Sequence, residues 1–210
     1  PLGSGDSWTA TRAMSADDNV GEISVSVAFT DISGSAGVTV MGTTDDTAVQ
    51  FDIDYQEGNA VDGPFQFAKV FGDYNDNGIH DEDEPSDLTD ETGAYQLADT
   101  VEAPAEYTIF VEMTADTIDA ISGESFAGTG VVLKGSSTGS VVTPLTTILE
   151  AAQALDSSFT AADLAAAMAL PAGVDIATFN PFAAGADAAT AHAVETVFQQ
   201  VMTATLLVSE

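Results

Sequence analysis

The sequence predicts a mainly β protein with an α-helical C-terminal part, and three observations support this. Between Glu22 and Tyr55, apolar residues alternate with polar or small ones, which is typical of half-buried strands. Residues 65–71, 93–97, 107–113 and 131–133 are short runs of strand-like composition between turn-forming residues. From Thr143 onward, apolar residues recur at helical spacing instead.

The first predicted segment, residues 5–54, consists of strands. Its alternating apolar residues are Ile23, Val25, Val27, Phe29, Val38, Val40, Val49, Phe51, Ile53 and Tyr55. Residues 34–37 and 43–46 supply the turns between them. Three strands are few for an independent domain, so we expect this segment to pair with the next one or to complete a domain begun upstream. Residues 1–4 match the scar of a cleaved fusion tag, so we expect an internal fragment.

Residues 55–142 form a second predicted β segment, and residues 143–210 a segment of about three helices. Thr143 followed by Pro144 predicts the start of the first helix, as N-cap and first helical residue. Thr160 and Asp163 resemble a capping box and predict a second start, with an end near residues 170–173. A third helix is predicted from about Ala188. Its apolar stripe comprises Val194, Val197, Phe198, Val201 and Met202.

The charge of the chain excludes several classes of partner. With 34 acidic and 3 basic residues, the formal net charge is −31. Nucleic acid and anionic lipid surfaces are bound through clusters of Lys and Arg, and this chain has only Arg12, Lys69 and Lys134. We expect no membrane insertion either, because no apolar stretch is long enough to span a bilayer. The absence of cysteine excludes disulfides and thiolate metal sites.

Residues 73–84 carry the most specific pattern of the chain. Oxygen-bearing side chains occupy positions 1, 3, 5, 9 and 12 of this stretch, and Gly78 occupies position 6, which is the spacing of a calcium-binding loop. A solvated acidic turn is the alternative interpretation. A strand is predicted before the loop, whereas an EF-hand loop follows a helix, so a structural Ca²⁺ is favoured over a sensor.

The surroundings of this loop resemble a known family. Asp62-Gly63 precedes the strand, Pro85 follows the loop, and Thr89-Asp90 is followed by Gly93 and Tyr95. With these motifs, residues 55–142 resemble the B-type repeats of Gram-positive serine-aspartate-repeat adhesins, which are calcium-stiffened, transthyretin-like β-sandwiches. The resemblance implies one Ca²⁺ held by six residues. These are the side chains of Asp73, Asn75, Asn77, Asp81 and Glu84 and the carbonyl group of Ile79.

The chain departs from that family by carrying extra acids around the loop. These residues could serve a second Ca²⁺ or lower the electrostatic potential of the site. They are Asp76, Glu82 and Asp83, with Asp87 and Asp90 as weaker candidates.

Residues 141–149, 170–175 and 179–181 are similar to a helical segment that often follows such sandwiches in very large secreted or surface proteins of Gram-negative bacteria. The resemblance implies an extracellular or cell-surface location, with neighbouring domains of the same long chain as partners. We therefore expect a calcium-stabilised structural or adhesion module. The alternative is a Ca²⁺-dependent module that binds a cell-surface glycan or peptide, for which Tyr74 is the plausible exposed aromatic residue.

Enzymatic activity is not expected. Residues 135–139 match the Gly-x-Ser-x-Gly pattern of a nucleophile elbow, but that motif requires a helix directly after it, and β-branched Val141 and Val142 follow here. His80 is predicted to be a surface or packing residue, and His192 has no second His or Cys at metal spacing. The sequence therefore nominates neither a catalytic residue nor a zinc site.

Overall fold

Strands and helices are both present in the computed structural model. It describes residues 2–4, 7–9, 14, 18, 21–31, 33–42, 50–51, 54–98 and 103–208. Within these residues it contains fifteen short strands, in antiparallel and mixed sheets, and three helices. The chain divides into two units, Pro1–Asp54 and Tyr55–Glu210.

The first unit is built from pairs of very short strands. They are β1 (Leu2–Ser4), β2 (Ser7–Thr9), β3 (Gly21–Glu22), β4 (Ser26–Val27), β5 (Val40–Met41) and β6 (Gln50–Phe51). The antiparallel pairs are β1 with β2, β3 with β6, and β4 with β5.

The expectation of half-buried strands in this unit was wrong for Val25, Val27 and Phe29, which are 39%, 51% and 54% exposed. Only Val27 lies in a strand, β4, and among the described residues of this unit the strands pair only two by two, without a covering layer. The predictions at Arg12, Val49, Ile53 and residues 43–46 lie outside the described residues.

Nine further strands form the β part of the second unit. They are β7 (Tyr55–Ala60), β8 (Phe65–Gln66), β9 (Lys69–Asp73), β10 (Ser86–Leu88), β11 (Ala94–Ala98), β12 (Thr108–Glu112), β13 (Ile118–Asp119), β14 (Val132–Ser136) and β15 (Val141–Val142). An antiparallel four-stranded sheet has the order β10-β9-β12-β14, and a three-stranded sheet the order β11-β7-β15. In the latter, β7 is antiparallel to β11 and parallel to β15. A short pair joins β8 to β13.

One hydrophobic core is shared by these two sheets. Val70, Val111 and Leu133 come from neighbouring strands of the four-stranded sheet, and Leu97 and Val142 come from the three-stranded sheet. All five side chains are at most 3% exposed. Since each sheet turns an apolar face to the same cluster, burial of these faces holds the two sheets to each other.

The structure confirms the three predicted helices: α1 (Pro144–Leu155), α2 (Ala161–Ala167) and α3 (Ala188–Val208). Thr143 and Thr160 are the N-caps of α1 and α2, each in a reciprocal capping box with the third helical residue. A second apolar cluster packs Val61 of the β part against Val194 and Phe198 of α3 and against residues of α1 and α2. Within the described residues, no helix is long and apolar enough to cross a membrane.

The prediction of one continuous strand over residues 65–71 was wrong. Phe67 adopts a left-handed conformation, with φ of 62°, and separates β8 from β9. Its carbonyl oxygen accepts hydrogen bonds from the hydroxyl groups of Thr114 and Thr117, at 2.9 Å and 3.1 Å. These partners lie almost fifty residues away, so local sequence pattern gives no sign of the break. Phe67 is therefore 44% exposed and does not join the core.

Candidate metal centre

The predicted calcium loop, residues 73–84, closes a hairpin at the end of the four-stranded sheet. It leaves β9 and returns into β10, which pairs antiparallel with β9 so that Ser86 faces Phe71. The nitrogen of Gly72 donates a hydrogen bond to the Pro85 carbonyl oxygen, at 3.1 Å, and this bond closes the base of the loop. The loop therefore joins two neighbouring strands of one sheet. The strand that begins near Gly93, β11, lies in the other sheet.

Positions 1 and 12 of the loop are buried at this base. Asp73 is 2% exposed and Glu84 is 6% exposed. The two carboxylate oxygens of Asp73 accept hydrogen bonds from the nitrogen of Gly78, at 2.7 Å, and the nitrogen of Asn77, at 3.1 Å. Those of Glu84 accept from the nitrogens of Tyr74, at 2.7 Å, and Asp81, at 2.9 Å. Both acids thus face the inside of the loop.

Positions 3, 5 and 9 lie within hydrogen-bond distance of one another. The side-chain nitrogens of Asn75 and Asn77 both donate to Oδ2 of Asp81, at 2.7 Å in each case. The side-chain oxygens of the two asparagines accept from the backbone nitrogens two residues later, Asn77 at 3.1 Å and Ile79 at 2.7 Å. The structure therefore joins Asn75, Asn77 and Asp81 directly, while Asp73 and Glu84 bond to backbone nitrogens of the same loop. The Ile79 side chain is 65% exposed.

Two residues of the loop adopt left-handed backbone conformations. The φ of Gly78 is 74° and that of Asp76 is 58°. Glycine adopts such values without steric cost, and Asp tolerates them better than most residues. The tight turn that brings the Gly78 nitrogen onto Asp73 depends on this conformation, which explains glycine at position 6.

An aromatic pair lies beneath the loop. The rings of Phe71 and Phe110 stack with centroids 5.1 Å apart, and the two residues are 0% and 5% exposed. The loop supplies their cover, since the His80 ring lies 5.4 Å from that of Phe71 and Gly78 lies above the Phe110 ring. His80 is therefore a packing residue. Burying a Phe side chain contributes about 1.5–3 kcal/mol, so a closed loop stabilises the whole sheet.

Asp73 and Glu84 accept hydrogen bonds from backbone N–H groups and form no ion pair with the two basic side chains that the structure describes. The Lys69 ammonium group lies 3.8 Å from Glu112, and that of Lys134 lies over the Phe110 ring at 4.4 Å. Neither pairs with Asp73 or Glu84. A buried carboxylate without an opposite charge costs several kcal/mol, and a bound cation would offset that cost.

The donor set determines which cation would fit. In the described part of the chain, no three His, Cys, Asp or Glu side chains form a group that could by themselves hold a metal ion. The loop instead mixes three carboxylates with two carboxamides, and only oxygen atoms of these side chains can ligate a metal strongly. A hard cation that accepts mixed oxygen ligands, such as Ca²⁺, fits this composition.

The extra acids have different environments. Asp87 accepts a hydrogen bond from the nitrogen of Gln96, at 2.8 Å, and so links the two sheets. Asp90 accepts from Thr92 and Ala94, and these bonds hold its pKa below the usual value although burial acts in the opposite direction. A last group of acids is exposed on the loop and comprises Asp76, Glu82 and Asp83.

A concave surface of about 400 Å³ adjoins the loop between β9, β12 and α1. Tyr74 and Tyr107 line it, with ring centroids 4.8 Å apart in an edge-to-face arrangement. Glu150 of α1 also lines it. The pKa of Glu150 lies above the usual value, because burial and the charge of Asp76 outweigh the opposite effect of Lys134. Tyr74 is partly covered rather than fully exposed, contrary to its predicted role as an exposed stacking residue.

The remaining candidate motifs stand apart from the loop. Residues 135–139 form the end of β14 and a turn that leads into β15, so no helix follows them. The hydroxyl group of Ser137 accepts a hydrogen bond from the Tyr107 nitrogen, at 3.0 Å. His192 is exposed on α3. These positions do not form the strand–turn–helix geometry of a nucleophile elbow.

Comparison of the chain with protein-family models, curated protein sequences and solved structures finds no match.

Proposed function

We propose that residues 55–210 are a calcium-braced structural module of a large extracellular bacterial protein, in which the two sheets form a transthyretin-like β-sandwich. One Ca²⁺ is held by Asp73, Asn75, Asn77, Asp81, Glu84 and the carbonyl group of Ile79. The module holds neighbouring domains of the same long chain at a fixed spacing or contributes to cell-surface adhesion. The resemblance of residues 55–142 to adhesin repeats supports this location and role.

The observation that carries the proposal is the burial of Asp73 and Glu84, neither of which pairs with Lys69 or Lys134, the two basic side chains that the structure describes. These residues sit at the two ends of the loop, so a cation between them fixes both ends at once. Without the ion their charges repel, and the low dielectric of a buried site strengthens that repulsion. The loop then loosens and uncovers Phe71 and Phe110.

This mechanism explains why an ion in a peripheral loop would stiffen the module. The loop and β10 form one edge of the four-stranded sheet, and Asp87 in β10 is hydrogen-bonded to Gln96 in the other sheet. A closed loop keeps β10 in place, and β10 in turn joins the sheets. A spacer under tension needs this resistance to local opening.

Removal of calcium tests the proposal. Ca²⁺ at about a hundredfold excess over its Kd stabilises the folded state by about 2.7 kcal/mol if it does not bind the unfolded chain. For a chain of this length that corresponds to a rise in Tm of about 5–10 °C. Calorimetric titration with Ca²⁺ measures the affinity, and melting in chelator measures the loss. Mg²⁺ serves as the control ion, since it demands a stricter geometry. No heat of binding together with an unchanged melt after exhaustive chelation would reject the proposal.

A second candidate function is Ca²⁺-dependent binding of a glycan or peptide at the concave surface beside the loop. The Tyr74–Tyr107 pair favours it, because sugar rings stack on aromatic side chains and the loop adjoins that surface. Binding of oligosaccharides in calcium and in chelator would distinguish the two functions. Replacement of Tyr107 by Ala should abolish such binding, whereas replacement of the distant, exposed Tyr55 should not.

A further inference from the structure

A second group of acids lies where α3 meets the β part, within the unit Tyr55–Glu210. A cavity of about 390 Å³ opens there between the β7–β8 turn, the β13 turn and α3. Each of these elements contributes at least one acid to its lining. The acids are Asp62, Asp119, Glu124 and Glu195. The other described lining residues are uncharged, and among them Ser122, Gln199 and Thr203 are polar.

Asp62 is the least favourably placed of these acids. Its Oδ1 atom is fully buried and has no hydrogen-bond partner among the residues that the structure describes. A buried acceptor without a partner costs about 1–3 kcal/mol, and more when it carries a charge. Burial raises the pKa of Asp62 to about 7, and the negative charges of Asp119 and Glu195 act in the same direction.

The neighbouring Asp119 cannot easily move away. One of its carboxylate oxygens accepts hydrogen bonds from the nitrogens of Ile121 and Ser122, at 2.8 Å and 2.7 Å. The other lies so close to Gly63 that a Cβ atom added there would be only 2.2 Å from it. Its charge is therefore held beside Asp62 by the local backbone.

The third acid is on the helix itself. Glu195 follows Val194 and precedes Phe198 by three residues, and both of these apolar residues are at most 2% exposed. They pack in the same cluster as Val61, which directly precedes Asp62. The apolar contact that holds α3 on the β part thus lies next to Asp62 and Glu195, whose negative charges repel each other.

We propose that this junction is a proton-sensitive latch: α3 docks firmly on the β part when Asp62 is protonated and loosens when Asp62 is ionised and faces Asp119 and Glu195. The latch is independent of the calcium loop. It would let the module respond to acidification by tightening.

The direction of the pH effect follows from proton linkage. The docked state holds the Asp62 proton up to a higher pH than the undocked state does. Docking is therefore most stable below the ordinary Asp pKa, weakens as the pH rises through the interval up to about 7, and changes little above it.

Amide hydrogen exchange of α3 tests the latch. The exchange of peptides covering α3 is measured between about pH 5 and about pH 8. Their protection factors are divided by those of peptides covering β12 and β14, which serve as the internal reference. In the native chain, protection of α3 should fall about tenfold or more over this range, which corresponds to one pKa unit or more of linkage. Asp62→Asn should abolish this fall and give greater protection than the native chain at the upper pH.

Asp116→Asn is the matched control, because it removes one negative charge from an exposed turn residue that does not line the cavity. It should follow the native chain. Retention of the full pH dependence by Asp62→Asn, or its loss in Asp116→Asn, would overturn the latch. Should Asp62→Asn fail to fold, NMR titration of the Asp62 carboxyl carbon in the native chain decides the matter. A midpoint near the ordinary Asp value refutes the proposal.

The exchange series is run both with Ca²⁺ and with chelator. The latch predicts the same relative pH dependence of α3 in both conditions. If Ca²⁺ instead restores the protection of α3 at the upper pH, and Asp62→Asn removes that restoration, the acids bind a cation and the latch is wrong.

Discussion

The carboxylate of Glu84 accepts a hydrogen bond from the backbone nitrogen of Tyr74, at 2.7 Å, and thereby joins the last residue of the loop to its second. Its other oxygen accepts from the nitrogen of Asp81. One side chain thus closes the loop even before the ion is considered. A calcium loop requires a bidentate acid at its twelfth position, and we propose these two oxygens for that role.

Glu84→Gln should weaken the loop in two ways. The amide keeps one acceptor but turns a donor toward a backbone N–H group, which costs about 1–3 kcal/mol. It also removes one charge from the calcium site. We expect Tm to fall by several degrees in chelator, and the gain in Tm on adding Ca²⁺ to shrink. Thermal unfolding followed by circular dichroism at several Ca²⁺ concentrations measures both effects.

Glu82→Gln is the matched control for that change. Glu82 belongs to the same loop and has the same chemistry, but it is exposed. It should leave both the melt in chelator and the calcium response nearly unchanged. Equal effects of the two substitutions would contradict the specific role given to Glu84 and would favour a general effect of negative charge.

Gly78→Ala should reduce calcium affinity. The φ of 74° is strained for any residue with a Cβ atom, at a cost of about 1–2 kcal/mol. Space is not the obstacle, because the added atom would lie 3.8 Å from the Phe110 ring, an ordinary contact. Titration calorimetry measures the affinity, and urea unfolding measures the loss of stability.

Gly173→Ala separates backbone strain from metal binding. Gly173 has a φ of 87°, open space around it and a position in the loop after α2. Its substitution should cost a similar free energy of unfolding without changing calcium affinity. A calcium affinity that is unaffected by Gly78→Ala would show that the loop does not bind the ion in the conformation described.

Tyr95→Phe should leave the protein as stable as before or make it more stable, by up to about 1 kcal/mol. The hydroxyl group of Tyr95 is buried and has no hydrogen-bond partner within the described part of the chain, and burial raises its pKa above the usual value. Removing it ends a desolvation cost while the ring keeps its place in the core. Urea unfolding measures the change, with Tyr55→Phe at a half-exposed position as the control. A marked destabilisation would mean that the hydroxyl group is well solvated or bonded in solution.

Helix starts were predictable because their signals are local. Thr143 with Pro144, and Thr160 with Asp163, satisfy the free N–H groups of the first helical turn within four residues. The pattern that predicts a calcium loop is also local, since its five oxygen-bearing side chains and Gly78 lie within twelve consecutive residues, and calcium binding itself stays a prediction.

Three features of the fold could not be predicted from local sequence signals. The left-handed Phe67 is held by the distant Thr114 and Thr117. The return of the loop into β10 depends on pairing with β9, and β10 is too short to show a strand pattern. Val25 and Val27 are exposed because no layer among the described residues covers this part of the first unit. The alternation of apolar and polar residues in the sequence shows only which side chains share a face.

By itself, the sequence determined the helix starts, the oxygen-rich loop and the strongly negative net charge, because each rests on covalent order or composition. Only the tertiary structure decided which acids are buried. Asp73 and Glu84 lose solvent when β10 pairs with β9, and Asp62 loses it when α3, more than a hundred residues later, packs beside it. Burial depends on what the rest of the chain brings nearby, and the proposed roles of these carboxylates in holding a cation or a proton depend on that burial.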